Sequence, residues 1–134
     1  MDNFRFHHEL RVRWSEVDGQ QIVFNANYLM YMDIAYAEYL RRELVLSNGL
    51  PTTVLAKSTL QFRQSAVFDD ILQIWVKTSH IGRSSMQVDF LITRDGEVLF
   101  EAESIYVYID TETGRPATVP DAWREKIEAY EQER

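Results

Sequence analysis

The segment from Asn27 to about Leu46 constrains the fold more than any other part of the chain. Asn25 and Asn27 precede a long run of apolar side chains, and asparagine before such a run is a typical helix start. Two rows of apolar side chains recur at helical spacing. The first row holds Leu29, Met32, Tyr36, Leu40 and Leu44, and the second holds Tyr28, Tyr31, Ala35 and Tyr39. A helix that is apolar over so much of its circumference is buried on several sides.

The pattern after this helix changes to alternation at every second residue, which is typical of half-buried strands. Asn48-Gly49 and Pro51 predict the end of the helix. Strands are predicted at residues 8–14, 54–63, 71–79, 86–93 and 98–109. Asp95-Gly96 predicts a tight hairpin of the primed type, because both turn residues must take positive φ.

The order of the predicted elements indicates the fold class. A strand and a loop precede the long helix, a meander of four strands follows it, and a terminal helix is predicted at residues 120–134. Such an order is typical of an α+β layer architecture. We therefore predict one domain, residues 1–134, in which a five-stranded antiparallel sheet curls around the long helix.

Composition excludes several classes of function. The chain has no cysteine, which removes disulfides, thiolate metal sites and a cysteine nucleophile together. The formal charge of −7 disfavours nucleic acid as a partner. The sequence contains no signal peptide and no apolar run long enough to cross a bilayer, so we predict a cytoplasmic protein without membrane insertion.

The histidines and serines form no recognisable catalytic constellation. His7 and His8 are adjacent, and neighbours on a strand face opposite ways, so they cannot easily share a metal ion. His80 lies far along the chain from both. No serine lies in a nucleophile elbow, and no glycine-rich phosphate loop is present. We predict neither a metal site nor a cofactor.

The remaining candidates for chemistry are acidic. Glu16 and Asp18 lie in the loop before the long helix, where a carboxylate can cap the helix start. A carboxylate there can also serve catalysis, because free helix N–H groups polarise a carbonyl oxygen while the carboxylate attacks the carbon or activates water. Asp33 and Glu38 lie on the apolar helix itself, and buried carboxylates need partners. We expect Asp33 to bond to a nearby donor, with a catalytic role as the less favoured alternative.

An ordered set of motifs begins at Arg13 and continues through most of the chain. The first motif reads Arg13-Trp14-Ser15-Glu16-Val17-Asp18-Gly19-Gln20-Gln21-Ile22-Val23-Phe24-Asn25-Ala26-Asn27-Tyr28-Leu29. Shorter motifs follow in order, namely Phe68-Asp69-Asp70, Ile81-Gly82-Arg83-Ser84-Ser85 and Arg94-Asp95-Gly96-Glu97. From Leu10 to about Lys126 the chain resembles the 4-hydroxybenzoyl-CoA thioesterase family.

This resemblance implies a hot-dog fold and an acyl-CoA thioesterase, which hydrolyses a thioester to a free acid and coenzyme A. Asp18 falls where the family's catalytic aspartate lies and would act as nucleophile or general base. The backbone N–H of Asn25, or of a neighbour at the helix start, would polarise the carbonyl oxygen. The implied substrate-binding residues are Asn27, Tyr28, Arg83, Ser84 and Ser85. The implied assembly is a homodimer or homotetramer with the active site between subunits.

Two residues depart from the family pattern. Many members carry glycine where this chain has Gln21, and one branch carries histidine where it has Asn25. An asparagine side chain is no general base near neutral pH, but a backbone N–H donor survives the change.

Local cations would have to attract the phosphates of coenzyme A against the negative charge of the whole chain. The candidates are Lys57, Arg63, Arg83 and Arg115. Two alternative functions stay open at this point. One is a hot-dog domain that binds acyl-CoA or acyl carrier protein without chemistry. The other is a dehydratase or hydratase, which the lack of a histidine near the helix start disfavours.

Overall fold

The computed structural model describes residues 3–44 and 52–132, which contain one antiparallel sheet and two α-helices. The strands are β1 (Phe6–Arg11), β2 (Thr53–Phe62), β3 (Ile71–Ile81), β4 (Ser85–Arg94) and β5 (Glu97–Tyr108). Helix α1 (Asn27–Leu44) follows β1, and helix α2 (Asp121–Gln132) follows β5. The prediction of an α+β hot-dog fold, with a five-stranded antiparallel sheet around one long helix, is confirmed.

Both apolar rows of α1 face the core as far as Leu40, as their spacing predicts. In the first row, Met32 and Leu40 are at most 1% exposed. In the second row, the tyrosines pack against aromatic residues of the sheet, and the Tyr28 ring stacks on Phe100 with centroids 5.0 Å apart. Each large apolar side chain that is fully buried stabilises the fold by roughly 1.5–3 kcal/mol. The helix is therefore apolar on several sides because the sheet covers it on several sides.

Neither helix in the described ranges is long and apolar enough to cross a bilayer. The predicted end of α1 near Leu46, with its stop signals at Asn48-Gly49 and Pro51, lies outside the described residues.

The strand order is β1-β3-β4-β5-β2, so the predicted four-strand meander is confirmed for β3, β4 and β5 and wrong for β2. β2 pairs with β5 and not with β3, because the chain crosses the end of the sheet between these two strands. Buried Ala66 anchors the crossing: its N–H donates to the Tyr28 hydroxyl over 3.0 Å, and its carbonyl accepts the N–H of Val23 over 2.9 Å. Alternation in a sequence identifies a strand without identifying its neighbour.

The first strand ends earlier than predicted. β1 stops at Arg11, and Trp14 begins a short 3₁₀ turn (Trp14–Glu16), where its side chain is 66% exposed instead of lying in a half-buried strand. Its ring meets that of Phe68 edge to face at 5.2 Å. The predicted tight hairpin is confirmed, since Asp95 and Gly96 have φ values of 52° and 79°.

Helix α2 packs against the second half of α1 and is more than a polar tail. Ile127 is buried, and the partly buried Trp123 packs against the core one helical turn before it. The carboxylate of Glu131 accepts hydrogen bonds from the Tyr39 hydroxyl and from the N–H of Thr78. These contacts close the end of the sheet that lies away from the start of α1.

Candidate active site

Asp18 lies in a short hairpin that joins β1 to the start of α1. Its N–H donates to the carbonyl of Ile22 over 2.9 Å, and the N–H of Gln21 donates to the Asp18 carbonyl over 2.9 Å. At the base of the hairpin, the Glu16 carbonyl accepts the N–H of Phe24 over 3.0 Å. Asp18 and the first residues before α1 are therefore held at the same end of the sheet.

The Asp18 carboxylate is half-buried and has one oxygen available. Oδ1 accepts the N–H of Gln20 over 2.8 Å, a local bond typical of aspartate in turns. Oδ2 accepts no hydrogen bond from residues 3–44 or 52–132. Neither Asp18 nor Glu16 uses its carboxylate to accept an N–H of α1, so neither caps that helix. A carboxylate that attacks a carbonyl carbon or activates water needs such a free oxygen.

Main-chain donors are also available just before α1. The N–H of Asn27 donates to the Phe24 carbonyl over 2.9 Å. By contrast, the N–H groups of Asn25 and Ala26 donate to no acceptor in the described part of the chain. Free N–H groups at the positive end of a helix favour a developing negative charge. The donor expected at Asn25 or a neighbour is thus unoccupied in this fold.

Asn27 and Tyr28 have structural contacts. The Asn27 side-chain amide donates to the Glu16 carbonyl over 2.9 Å. Tyr28 is 2% exposed, its hydroxyl is occupied by the N–H of Ala66, and burial raises its pKa. None of these contacts points to a substrate, and the substrate-binding role of both residues stays a prediction.

Glu16 is buried between the hairpin and α1, with a side chain 5% exposed. Oε1 accepts the N–H of Arg13 over 2.8 Å and the hydroxyl of Tyr31 over 2.9 Å. Oε2 accepts the Arg13 guanidinium through Nε at 2.8 Å and Nη2 at 2.7 Å. Burial acts to raise the pKa of this carboxyl, but the hydrogen bonds from Arg13 and Tyr31 outweigh it and lower the pKa.

From the sequence, Glu16 was a candidate helix cap or catalytic carboxylate, and this hydrogen-bond network was not predicted. The spacing of Arg13 and Glu16 is the one signal that could have indicated it, because residues three apart meet in a helical turn. Burial and the Glu16 carboxylate together raise the pKa of Tyr31, which keeps its hydroxyl protonated as a donor.

Arg83, Ser84 and Ser85 lie at the opposite end of the sheet from Asp18. Arg83 and Ser84 lie in the turn between β3 and β4, and Ser85 is the first residue of β4. β4 alone is 10 residues long, and at about 3.3 Å per residue it separates the two groups by about 30 Å. One protomer therefore does not bring Asp18 and the Arg83 turn together.

The C-terminal part of the chain holds the Arg83 turn in place. The Arg83 carbonyl accepts the N–H of Val119 over 2.8 Å, and the Arg124 guanidinium donates to the Gly82 carbonyl over 2.9 Å. A cavity of about 310 Å³ lies beside the turn. The residues that line it are Arg83, Ser84, Pro116, Ala117 and Thr118.

A second cavity, of about 320 Å³, lies beside the middle of α1. The residues that line it are Asp33, Tyr36, Ala37, Thr53, Leu55 and Tyr106. The Tyr106 hydroxyl is buried and has no hydrogen-bond partner among the described residues. Asp33 accepts no hydrogen bond in the described part of its own protomer, so the donor expected for it stays a prediction. Partial burial raises the pKa of its carboxyl. Glu38 instead pairs with Arg41.

A family model matches most of the chain. The model of the Thioesterase-like superfamily matches residues 12–127, a range that includes the Asp18 hairpin, α1 and the Arg83 turn. The chain belongs to this superfamily. The resemblance to the thioesterase family that the motifs indicate is confirmed.

Characterised relatives and solved structures are similar over nearly the full chain. The acyl-CoA thioester hydrolase YbgC of Escherichia coli is 26% identical over 125 residues, covering 90% of this chain and 93% of that protein. A Thermus thermophilus thioesterase complexed with coenzyme A and Zn is 29% identical, with a TM-score of 0.90 and coverage of 100% and 99%. The Synechocystis 1,4-dihydroxy-2-naphthoyl-CoA thioesterase Slr0204 is 22% identical, with a TM-score of 0.78 and coverage of 91% and 94%, and shares the fold.

The described ranges contain no group of three or more histidine, aspartate and glutamate side chains placed to hold a metal ion.

Proposed function

We propose that the protein hydrolyses an acyl-CoA thioester to a free acid and coenzyme A. The observation that carries this proposal is that the Asp18 carboxylate has a free oxygen and that Asn25 and Ala26 have free N–H groups at the same end of the sheet. The names of the relatives support the substrate class, since YbgC is an acyl-CoA thioester hydrolase. A cytoplasmic location stays a prediction.

The two groups have complementary tasks in thioester hydrolysis. The N–H groups of Asn25 or Ala26 donate to the thioester oxygen and stabilise the negative charge that develops on it. Asp18 then acts in one of two ways. It attacks the carbonyl carbon to form a mixed anhydride that water hydrolyses, or it takes a proton from a water molecule that attacks the same carbon. In both routes the C–S bond breaks and the thiolate of coenzyme A leaves.

We propose that a second copy of the chain completes the site by pairing along β2. This strand lies at the edge of the sheet and exposes the side chains of Val54 by 46%, Leu55 by 42% and Phe62 by 45%. An exposed apolar edge strand favours pairing with another strand. Two-fold antiparallel pairing sets the Thr53 end of one β2 opposite the Phe62 end of its copy.

Such a pair brings the Arg83 turn of one protomer towards the Asp18 hairpin of the other. Coenzyme A could then contact both, in a homodimer or in a homotetramer assembled from it. Phe24, Val67 and Phe68 are also exposed at the Asp18 end of the sheet.

The Arg83 turn is the proposed contact for the phosphates of coenzyme A. The exposed side chains of Arg83 and Arg115 form no ion pair with described residues, whereas Arg63 is paired with Glu101. Ser84 and Ser85 add hydroxyl donors at the same turn. We expect Arg83→Ala to raise KM for acyl-CoA several-fold, on the order of 1 kcal/mol of uniform binding, with kcat unchanged.

The test is release of free thiol from short, long and aromatic acyl-CoA thioesters by wild type and by Asp18→Asn. This substitution is nearly isosteric, so the protein stays folded. Asp110→Asn is the matched control, because Asp110 makes the same local bond to the N–H two residues on, over 2.8 Å, in a turn after β5. We expect turnover by wild type and Asp110→Asn and a loss of at least about 1,000-fold in Asp18→Asn.

Turnover by a folded Asp18→Asn protein would exclude Asp18 as the catalytic residue. Tight acyl-CoA binding by the wild type without thiol release would favour a binding domain over an enzyme. Sedimentation of wild type beside Leu55→Lys tests the assembly: the substitution places charge on the edge of β2 and is expected to give monomers with little activity.

A further inference from the structure

We propose that Glu16 is a positioning residue that sets the Asp18 carboxylate relative to the free N–H groups before α1. The inference rests on the proposed function, because it concerns the geometry of the same site. It comes from one observation: Arg13 in the segment after β1, the hairpin and the start of α1 are all hydrogen-bonded to this single buried residue.

Glu16 holds α1 at two points. Its main-chain carbonyl accepts the Asn27 side-chain amide at the first residue of the helix, and its carboxylate accepts the Tyr31 hydroxyl one turn later. Residues four apart lie on the same face of a helix, so both bonds are made to one face. A single bond would leave the helix free to pivot about it, whereas two bonds fix both the position and the rotation of the helix start.

Glu16 also holds both arms of the hairpin that carries Asp18. The hairpin leaves from Glu16 and returns at Phe24, whose N–H donates to the Glu16 carbonyl over 3.0 Å. A bridge between Val17 and Val23 continues this pairing towards the tip. Asp18 therefore lies two residues from Glu16 along one arm, and Asn25 follows directly after the paired residue of the other arm.

The Arg13 guanidinium and main-chain N–H keep the Glu16 carboxylate charged and in place. A carboxylate that is 5% exposed and accepts donors on both oxygens has little freedom to change rotamer. The spacing between the attacking oxygen and the oxyanion donors is then preset. A displacement of about 1 Å in such a spacing can cost on the order of 100-fold in rate.

The position of Glu16 predicts an effect on kcat and not on KM. The Arg83 turn, which the proposed function assigns to coenzyme A, is about 30 Å away along β4. Loosening the hairpin leaves that contact intact while the reacting groups lose alignment. A side chain that only stabilises the fold would leave kcat unchanged in the fraction of protein that stays folded.

Tyr39 supplies a matched control on the same helix. Like Tyr31 it is 1% exposed and donates its hydroxyl to a carboxylate, in this case Glu131 of α2. Tyr31→Phe and Tyr39→Phe therefore remove the same kind of bond from the same helix, at opposite ends. Any effect that follows from loss of a buried hydroxyl alone appears in both variants.

The experiment measures kcat and KM for wild type, Glu16→Gln, Tyr31→Phe, Tyr39→Phe and Asp18→Asn on one acyl-CoA thioester, well below the unfolding temperature of each. We expect kcat to fall about 10-fold in Tyr31→Phe and about 100-fold in Glu16→Gln, with KM within about twofold of wild type. Tyr39→Phe should keep the wild-type kcat. Amide hydrogen exchange at Phe24 should quicken in Glu16→Gln and not in Tyr39→Phe.

Wild-type kcat in Tyr31→Phe, or an equal loss in Tyr39→Phe, would overturn the positioning role. If Glu16→Gln does not fold, Tyr31→Phe decides the question alone. An inactive wild type, or an active Asp18→Asn, overturns the proposed function and this inference together. An active wild type with an inactive Asp18→Asn and an unaffected Tyr31→Phe overturns only the role of Glu16.

Discussion

Helix α1 is held by a tyrosine–carboxylate pair near each end, and the two pairs have different surroundings. Tyr31 donates to Glu16, and Tyr39 donates to Glu131. Around Glu16 lie unoccupied groups, the Oδ2 of Asp18 and the N–H of Asn25 among them. Glu131 instead accepts a second hydrogen bond, from the N–H of Thr78 at an irregular point of β3.

The comparison shows that one interaction type supports two separate tasks. At the first end the buried carboxylate orders the hairpin that carries Asp18, whose Oδ2 is left free. At the second end it fastens α2 against α1 and β3, away from Asp18 and from the free N–H groups before α1. We therefore expect substitutions at the two ends to separate activity from stability.

The largest expected effect on stability comes from Glu131→Ala. It leaves the Thr78 N–H without its acceptor and removes one of the two partners of the Tyr39 hydroxyl, so the free energy of unfolding should fall by about 2 kcal/mol. Glu128→Ala, on an exposed position of the same helix, is the control and should change it by less than about 0.5 kcal/mol. Urea unfolding measures both. A loss of kcat in folded Glu131→Ala would show that the Glu131 end of α1 affects activity as well as stability.

A smaller and pH-dependent effect is expected at Glu16. The folded state lowers the pKa of this carboxyl from its ordinary 4.5, so its ionised form stabilises the fold above that value. The contribution is lost as the pH falls below 4.5 and through the lower folded-state pKa. Unfolding of wild type and Glu16→Gln as a function of pH should give curves that converge on acidification. Curves that stay parallel would show that the charge of Glu16 contributes nothing.

Tyr106 offers a contrast to the two bonded tyrosines. Its buried hydroxyl has no partner in the described chain, so Tyr106→Phe should raise the free energy of unfolding by about 1 kcal/mol. Tyr36 stacks on the same ring at 4.0 Å but bonds to the Thr53 hydroxyl over 2.8 Å. Tyr36→Phe should therefore lower the same quantity by about 1 kcal/mol. Changes of the same sign in calorimetry would contradict this assignment.

The smallest expected effect is in the Asp18 hairpin itself. Gln21 has a φ of 67°, a conformation that glycine adopts without strain, and it is the position where many family members carry glycine. Gln21→Gly should stabilise the protein by at most about 0.5 kcal/mol, because relief of strain is partly offset by unfolded-state entropy. Gln20→Gly, without a positive φ to relieve, should destabilise it. Thermal unfolding measures the stability of both variants, and thiol release measures their activity.

The main helices and strands could be predicted because burial of one face makes apolar residues recur at helical or alternating spacing. The two rows of α1 and the primed turn at Asp95-Gly96 are of this kind. Strand partners leave no such trace, so the place of β2 beside β5 was missed. The motif led to Asp18, but Tyr31 looked like one more core aromatic, because a hydroxyl's partner depends on packing between segments.

The contacts of Glu16 also bear on the order in which the molecule folds. Its hydrogen bonds span 3, 11 and 15 positions of the chain, whereas those of Glu131 span 53 and 92. Closing a longer loop costs more entropy, and contacts between near neighbours form faster. Synthesis also delivers the N-terminal residues first. We expect a growing chain to form the Asp18 hairpin early and to dock α2 last.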